Sequence, residues 1–225
     1  MNGSGLDIIA RIETPFAEKF GVPRQSGIAD SPGRIVFEKP FRDVDAVRGL
    51  EGFSHIWLIW QFDRAQRQSW SPTVRPPRLG GNARMGVFAT RSPFRPNPIA
   101  LSCVKLAGIR QTADGPVIRV LGADLVDGTP ILDIKPYVPQ ADCIPEASGG
   151  FTSLPFQRLE VEIPAELAAS VPPEELAVLE DTLSLDPRPQ YQDDPERMYG
   201  LSFSGWEVKF RVEGSRLHVL ALEKR

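Results

Sequence analysis

HIWLIWQFD, residues 55–63, is a short run of β-branched, aliphatic and aromatic residues that ends in an acidic residue. Such a run favours a β-strand. Similar segments recur along the first 138 residues between Gly, Pro, Asp and Ser, and most connections lack the roughly 10 to 15 residues of helical periodicity that βαβ units need. We predict an all-β barrel or sandwich. The segments are LDIIARIE (6–13), RIVFEKPF (34–41), HIWLIWQFD (55–63), RMGVFAT (84–90), PIALSCVKL (98–106), PVIRVLGADLV (116–126) and PILDIKPYV (130–138).

The composition changes after this β-rich part. Residues 138–157 are rich in Pro, Gly, Ser and Ala, as in a linker or a long surface excursion. Pro173 and the leucines after it predict a helix. WEVKFRV (206–212), a turn and RLHVLALE then predict a β-hairpin. We therefore predict a mainly β chain with a larger β domain over residues 1–140 and a smaller α+β domain over 141–225.

Several classes of protein are disfavoured by the composition. No apolar run approaches the ~20 residues of a membrane helix, and the N-terminus lacks a signal-peptide pattern, so we expect a cytoplasmic protein without membrane contact. The chain has two cysteines and two histidines, none at a metal-binding spacing, and we expect no metal. The Gly-rich phosphate motifs of Rossmann and Walker sites are missing, as is the GxSxG elbow of hydrolases.

Charge is distributed unevenly along the chain. The net charge is −3, yet residues 64–95 contain no Asp or Glu and carry seven arginines. Like charges in one stretch repel each other unless an anion lies among them, and the planar guanidinium group suits bidentate contact with phosphate. The pattern predicts a phosphate-bearing partner. The arginines are at positions 64, 67, 75, 78, 84, 91 and 95.

Four motifs resemble the TsaA/TrmO family of S-adenosylmethionine-dependent tRNA methyltransferases. They are VRPPRLGGNARMGVFAT (74–90), RSPFRPNPIA (91–100), DLVDGTPILDIKPY (124–137) and LDPRPQY (185–191). The resemblance runs from KFGVPRQSG (19–27) to the C-terminal hairpin. It implies an N-terminal antiparallel β-barrel, a homodimer, and methylation of the exocyclic nitrogen of threonylcarbamoyladenosine beside the anticodon of a tRNA.

The resemblance also implies residues for the methyl donor. They are Pro23, Arg24, Gln25, Asp63, Arg64, Arg91, Leu101, Asp127, Gly128, Thr129 and Pro130. Asp63 and Arg64 depart from the pattern, because the family often has a histidine after the apolar strand. Residues 127–130 also have the composition of a β-turn, and the two roles are compatible. Phe88 and Phe94 offer ring faces for a cation, although we expect core positions for both.

On the substrate side, Arg188 lies between two prolines after the predicted helix, with Asp186 before it and Tyr191 near enough to stack on a base. Arg95 and Asn97 in the proline-rich loop complete the RNA-contact candidates. For the base that accepts a proton, Asp133, Lys135 and Tyr137 alternate along one predicted strand, and the sequence does not choose among them. Two alternatives stay open: a non-enzymatic RNA- or anion-binding module, and a methyltransferase with another substrate.

Overall fold

The computed structural model of the protein describes residues 5–64, 69–79, 83–153, 157–188 and 194–225. Its larger part is a closed barrel of antiparallel strands in the order β1-β2-β7-β6-β3-β8, and β4 pairs with β5 in a separate two-stranded ladder. The predicted mainly β fold with a barrel is confirmed. The strands are β1 (Ala10–Glu13), β2 (Pro32–Phe37), β3 (His55–Gln61), β4 (Thr73–Val74), β5 (Met85–Gly86), β6 (Ile99–Thr112), β7 (Gly115–Leu121) and β8 (Thr129–Pro136).

Alternation along β3 explains how the barrel is filled. Ile56, Leu58 and Trp60 point into the barrel and are buried, while the residues between them are half-buried on the outer face. Period-two alternation of this kind places one set of side chains inside and the other outside. Each fully buried aliphatic side chain contributes about 1.5–3 kcal/mol through removal of apolar surface from water. Pairing of Ile12 in β1 with Thr129 in β8 closes the barrel.

One predicted strand differs from the structure. Only Met85 and Gly86 of the predicted strand at residues 84–90 are extended, and a 3-10 turn, Val87–Ala89, follows them. Val87 enters the core, but Phe88 is 72% exposed, so the expected core position of Phe88 is wrong. Residues 43–53, which precede β3, form two 3-10 turns, Val44–Val47 and Leu50–Gly52.

The C-terminal part is a four-stranded sheet in the order β10-β11-β12-β9, with β9 parallel to β12. The predicted hairpin is β11 and β12, and the predicted helix is α3; both are confirmed. Leu179 and Leu183 of α3 are fully buried in the hydrophobic core that includes the sheet residues. The elements are α1 (Pro139–Asp142), β9 (Glu160–Glu162), α2 (Ala165–Ala168), α3 (Pro173–Ser184), β10 (Tyr199–Phe203), β11 (Trp206–Glu213) and β12 (Arg216–Lys224).

The connection between β1 and β2 belongs to both parts of the protein. Phe16 is fully buried among the residues of the C-terminal core, and its ring centroid lies 5.9 Å from that of Phe203. Farther along the connection, the carbonyl of Ile28 accepts a hydrogen bond from Arg158, which also forms an ion pair with Asp181 of α3. The segment that carries Pro23, Arg24 and Gln25 is therefore anchored at the barrel and at the C-terminal sheet. Within the described residues, no helix is long and apolar enough to span a membrane.

Candidate active site

Residues 23–27, which we call the donor loop, lie beside β6 where it has no partner strand on that side. β6 pairs with β7 only from Lys105 onward, and before that point the backbone N–H of Cys103 donates to the hydroxyl of Ser26 at 3.1 Å. The N–H of Gly27 donates to the carbonyl of Gly122 at 3.0 Å. These contacts replace a strand ladder and fix the loop against the barrel wall.

The loop presents Gln25 to Arg91, which is 66 residues away in the sequence. Arg91 Nη1 donates to Gln25 Oε1 at 2.6 Å, and Gln25 Nε2 donates to the carbonyl of Arg24 at 2.6 Å. Both side chains are exposed. The structure thus brings two predicted donor-site residues into direct contact, with their polar groups accessible to a solute.

A second contact joins Arg64 to the turn before β8. Arg64 Nη2 donates to the carbonyl of Asp127 at 2.6 Å, and Asp127 Oδ1 accepts the N–H of Thr14 at 3.0 Å. Gly128 has φ +77°, a left-handed conformation that favours glycine. Thr129 and Pro130 are buried and continue into β8, so they shape the turn. Of the predicted turn over residues 127–130, only Asp127 and Gly128 lie in a turn, because β8 begins at Thr129. The Asp127 side chain is exposed there.

A chain of hydrogen bonds that links Trp60, Ser102 and Asp124 was not predicted from the sequence. Trp60 Nε1 donates to Ser102 Oγ at 2.9 Å, and Ser102 Oγ donates to Asp124 Oδ1 at 2.5 Å. Loss of solvent contact raises the pKa of Asp124 to about 6, against the opposing effects of the Ser102 hydrogen bond and the Arg91 charge. One signal was present in the sequence: Ser102 takes an inward position of β6, next to the inward Val104.

The catalytic candidates lie on the outer face of the barrel. Ile59 of β3 pairs with Leu101 on one side and with Asp133 on the other, so these three residues form a row across the strands. Leu101 is 44% exposed, and Asp133 forms an ion pair with Lys135 at 2.8 Å. Tyr137 follows β8 and packs its ring 6.0 Å from that of Trp57. Leu101 is thus the donor-site prediction placed nearest to these candidates in strand register.

The DPRP motif connects the two parts of the protein. Arg188 is 8% exposed and forms two hydrogen bonds to the carboxylate of Asp186, at 2.9 and 3.0 Å. Arg24 Nη2 donates to the carbonyls of Asp186 and Arg188, at 2.9 and 3.3 Å. Arg188, which was expected to contact RNA, therefore pairs with Asp186 within the motif, whereas Arg24 of the donor loop holds the motif. Tyr191 lies outside the described residues.

The remaining predicted residues differ in exposure. Asp63 and Asn97 are exposed, and Pro23, at the start of the donor loop, is buried. Arg95 Nη1 donates to the carbonyl of Thr90 at 3.0 Å. Among the described residues, no group of three or more His, Cys, Asp or Glu side chains is arranged to hold a metal ion.

The chain is similar to known proteins over its whole length. A model of the tRNA-methyltransferase O N-terminal domain matches residues 11–143, and a model of the TrmO C-terminal domain matches residues 157–225. The tRNA (adenine(37)-N6)-methyltransferase of Escherichia coli is 42% identical over 235 residues, which cover 100% of both chains. A putative S-adenosylmethionine-dependent methyltransferase, RcsF, from Pseudomonas aeruginosa is 41% identical and covers 89% of this chain and 88% of its own.

The fold agrees with these matches. The crystal structure of TrmO from Pseudomonas aeruginosa superimposes with a TM-score of 0.79 at 32% identity and covers 98% of each chain. Both family models fall on the parts of the chain that hold the barrel and the C-terminal sheet. The chain belongs to the tRNA-methyltransferase O family.

Proposed function

We propose that this protein transfers a methyl group from S-adenosylmethionine to the exocyclic nitrogen of threonylcarbamoyladenosine next to the anticodon of a tRNA. By family the chain is a tRNA methyltransferase, and S-adenosylmethionine is its methyl donor. The observation that carries the proposal is the full-length match to a tRNA (adenine(37)-N6)-methyltransferase. The threonylcarbamoyl group on that adenine is the finer part of the proposal, and it is supported by the four sequence motifs.

The side chains at the candidate site suit this donor. S-adenosylmethionine supplies an electrophilic methyl group on a sulfonium, together with an adenine, ribose hydroxyls and an amino-acid tail. The exposed carboxylate of Asp127 suits the cation or the hydroxyls, the guanidinium of Arg91 suits the tail carboxylate, and exposed Leu101 offers apolar contact to the adenine. Gln25 holds Arg91 in place through its 2.6 Å hydrogen bond.

Positioning accounts for most of the rate in such a displacement, since well-oriented groups reach effective molarities of ~10⁵ to 10⁸ M. The attacking nitrogen forms its bond to the methyl carbon, the carbon–sulfur bond breaks with its electron pair staying on sulfur, and the nitrogen loses a proton. Asp133 is the candidate best suited to accept that proton. Its carboxylate forms an ion pair with Lys135 at 2.8 Å, and the Lys135 ammonium group has no lone pair with which to accept a proton.

Tyr137 is the weaker candidate for this role. Desolvation, followed by the neighbouring Cys143 and Asp142, raises the pKa of Tyr137, which keeps its hydroxyl protonated at neutral pH. A protonated phenol donates hydrogen bonds but does not act as a base. We therefore assign Tyr137 a packing role beside Trp57, where the two rings lie 6.0 Å apart.

Two measurements test the proposed function. Calorimetric titration with S-adenosylmethionine is expected to release heat, whereas a pure RNA-binding module would release none. Incubation with the donor and tRNA from a strain lacking this activity, followed by mass analysis of the nucleosides, is expected to add one methyl group to threonylcarbamoyladenosine. Methylation of another nucleoside would refute the substrate and keep the enzyme class; donor binding without methylation of any RNA would refute both.

The proposal extends to assembly, location and metal. The outer face of β3 and β6 exposes Ile99 (38%) next to half-buried Trp57 and Ile59, an apolar band that suits a symmetric dimer. Ile99→Glu is expected to turn a dimer into a monomer in sedimentation velocity; a wild-type monomer would exclude the dimer. We place the protein in the cytoplasm, with its tRNA substrate, and expect full activity in a chelator.

A further inference from the structure

Two exposed aromatic side chains belong to the arginine-rich segment, residues 64–95. Trp70 is 49% exposed and Phe88 is 72% exposed, and their rings stack with centroids 6.3 Å apart and an interplanar angle of 24°. In the described part of the chain, only one other aromatic residue, Phe53 at 38%, is exposed. A soluble protein rarely leaves two large rings side by side in water unless they contact a partner.

The backbone fixes this pair of rings, which we call the Trp70–Phe88 platform. The strands β4 and β5 lie between Trp70 and Phe88 in the sequence, and they pair Thr73 with Gly86. The N–H of Val87 donates to the carbonyl of Pro72 at 3.0 Å, and Phe88 belongs to the same 3-10 turn as Val87. The rings are therefore held by local structure before any partner binds, which lowers the entropy lost on binding.

Arginines lie beside the platform and at the far end of its ladder. The guanidinium of Arg95 lies 6.0 Å from the centroid of the Phe88 ring. Because Val74 pairs with Met85, the exposed Arg75 and Arg84 come next on opposite sides of the ladder. Among the described residues, no carboxylate forms an ion pair with these three arginines. Flat ring faces near arginines that have no carboxylate partner among the described residues suit a ligand that has both π-faces and phosphates.

We propose that the Trp70–Phe88 platform binds an unpaired base of the substrate RNA by stacking, while Arg84 and Arg95 contact the phosphates on either side. This rests on the proposed function and names the surface that holds the RNA loop. Single-stranded loops are recognised by bases that leave the stack and lie on aromatic side chains. Only two residues separate Phe88 from Arg91 in the sequence. The platform is therefore next to a donor-site residue along the chain.

A second copy of the chain is the less suitable occupant. In a two-fold symmetric contact the same patch faces itself, which would bring Arg75, Arg84 and Arg95 of both copies together without carboxylates. Such a contact suffers like-charge repulsion, whereas RNA supplies the counter-charge. The apolar band on β3 and β6 has no comparable group of arginines and is the better dimer surface.

The test measures binding of an anticodon stem-loop RNA by fluorescence anisotropy at several salt concentrations. Phe88→Ala and Trp70→Ala are each expected to weaken binding roughly 5- to 100-fold, the range for losing one base–aromatic stack, with an unchanged salt slope. Phe88→Tyr is expected to keep wild-type affinity, and Phe88→Leu to lose it. Arg84→Ala is expected to reduce the salt slope by about 1, since it removes one phosphate contact.

Controls separate this proposal from the proposed function. Phe53→Ala removes another exposed ring and is expected to bind RNA as the wild type does. Donor affinity by calorimetry, the thermal midpoint and the sedimentation coefficient are expected to stay unchanged in Phe88→Ala. Wild-type RNA affinity in Phe88→Ala, or a change in its oligomeric state, would overturn the platform even if the wild type methylates tRNA. A wild type that binds the stem-loop through the platform but transfers no methyl group would instead overturn the proposed function.

Discussion

The protonation state of Asp124, in the barrel wall beside the donor loop, affects the stability of the fold. Desolvation raises its pKa from 3.8 to about 6, so the folded protein binds this proton more tightly than the unfolded chain does. The resulting stabilisation is complete below pH 4 and is lost as the pH rises to about 6, with an upper limit of about 3 kcal/mol. Asp124→Asn keeps an oxygen that accepts the Ser102 hydrogen bond but cannot titrate.

We therefore expect the difference in unfolding free energy between Asp124→Asn and the wild type to change between pH 4 and pH 6. The variant is expected to become relatively more stable as the pH rises, because it has no charge to bury. Urea unfolding at pH 4, 5, 6 and 7 measures this difference. Ser102→Ala serves as a second variant, since it removes one hydrogen bond that lowers the pKa of Asp124. Parallel pH profiles of Asp124→Asn and the wild type would contradict the assignment.

Asp133 carries the second prediction for a single residue. If its carboxylate accepts the proton of the attacking nitrogen, Asp133→Asn is expected to lower kcat by about 10²- to 10⁴-fold, the usual contribution of a general base. Donor affinity is expected to stay near the wild-type value. Lys135→Gln is the matched control, because it removes the 2.8 Å ion pair but leaves the carboxylate. Equal kcat losses in both variants would show that the ion pair, and not the base, is what matters.

At the scale of the elements, alternation predicted most of the barrel strands, and turn residues predicted the hairpin. The predicted strand at 84–90 failed because β5 ends after two residues and a 3-10 turn carries Phe88 outward. Local periodicity does not distinguish an apolar residue that enters a core from one that a partner covers. β9 and β10 were not predicted, because β9 has only three residues and gains stability by pairing with β12, which lies far along the chain.

Close approach of two glycines fixes the donor loop against β7. Gly122 has φ +87°, and a Cβ there would lie 3.1 Å from the Cα and the N of Gly27. Gly122→Ala is expected to destabilise the fold by about 1–3 kcal/mol and to weaken donor binding, because the loop that carries Gln25 must move. Gly52→Ala is the control, since a Cβ at Gly52 meets nothing within 4 Å. Urea unfolding and donor calorimetry give the two readouts, and equal results for both variants would contradict this role.

At the scale of the whole molecule, the sequence did not predict how the barrel and the C-terminal sheet join. Arg24, Gln25, Arg91 and Asp127 were singled out by the family motifs, but the contacts that Gln25 makes with Arg91, and Asp127 with Arg64, depend on pairings across the whole chain. β1 pairs with β8, which lies more than a hundred residues later in the sequence. Phe16, between β1 and β2, lies in the C-terminal core. Contacts of such sequence separation leave no local pattern. The boundary that we predict near residue 140 therefore divides the chain in sequence, while the segment between β1 and β2 contributes to both sides.

Phe16 offers a test of this shared construction. It is fully buried, 5.9 Å from Phe203, and two residues from Thr14, whose N–H donates to Asp127. Phe16→Ala is expected to lower the free energy of unfolding by about 3–5 kcal/mol, as for other buried aromatic residues, and also to weaken donor binding. Leu6→Ala, at a residue that is 66% exposed, is expected to change stability by less than about 0.5 kcal/mol. Because one segment joins the two cores, stability and donor affinity should fall together; a loss of stability with unchanged donor affinity would show that barrel and sheet act independently.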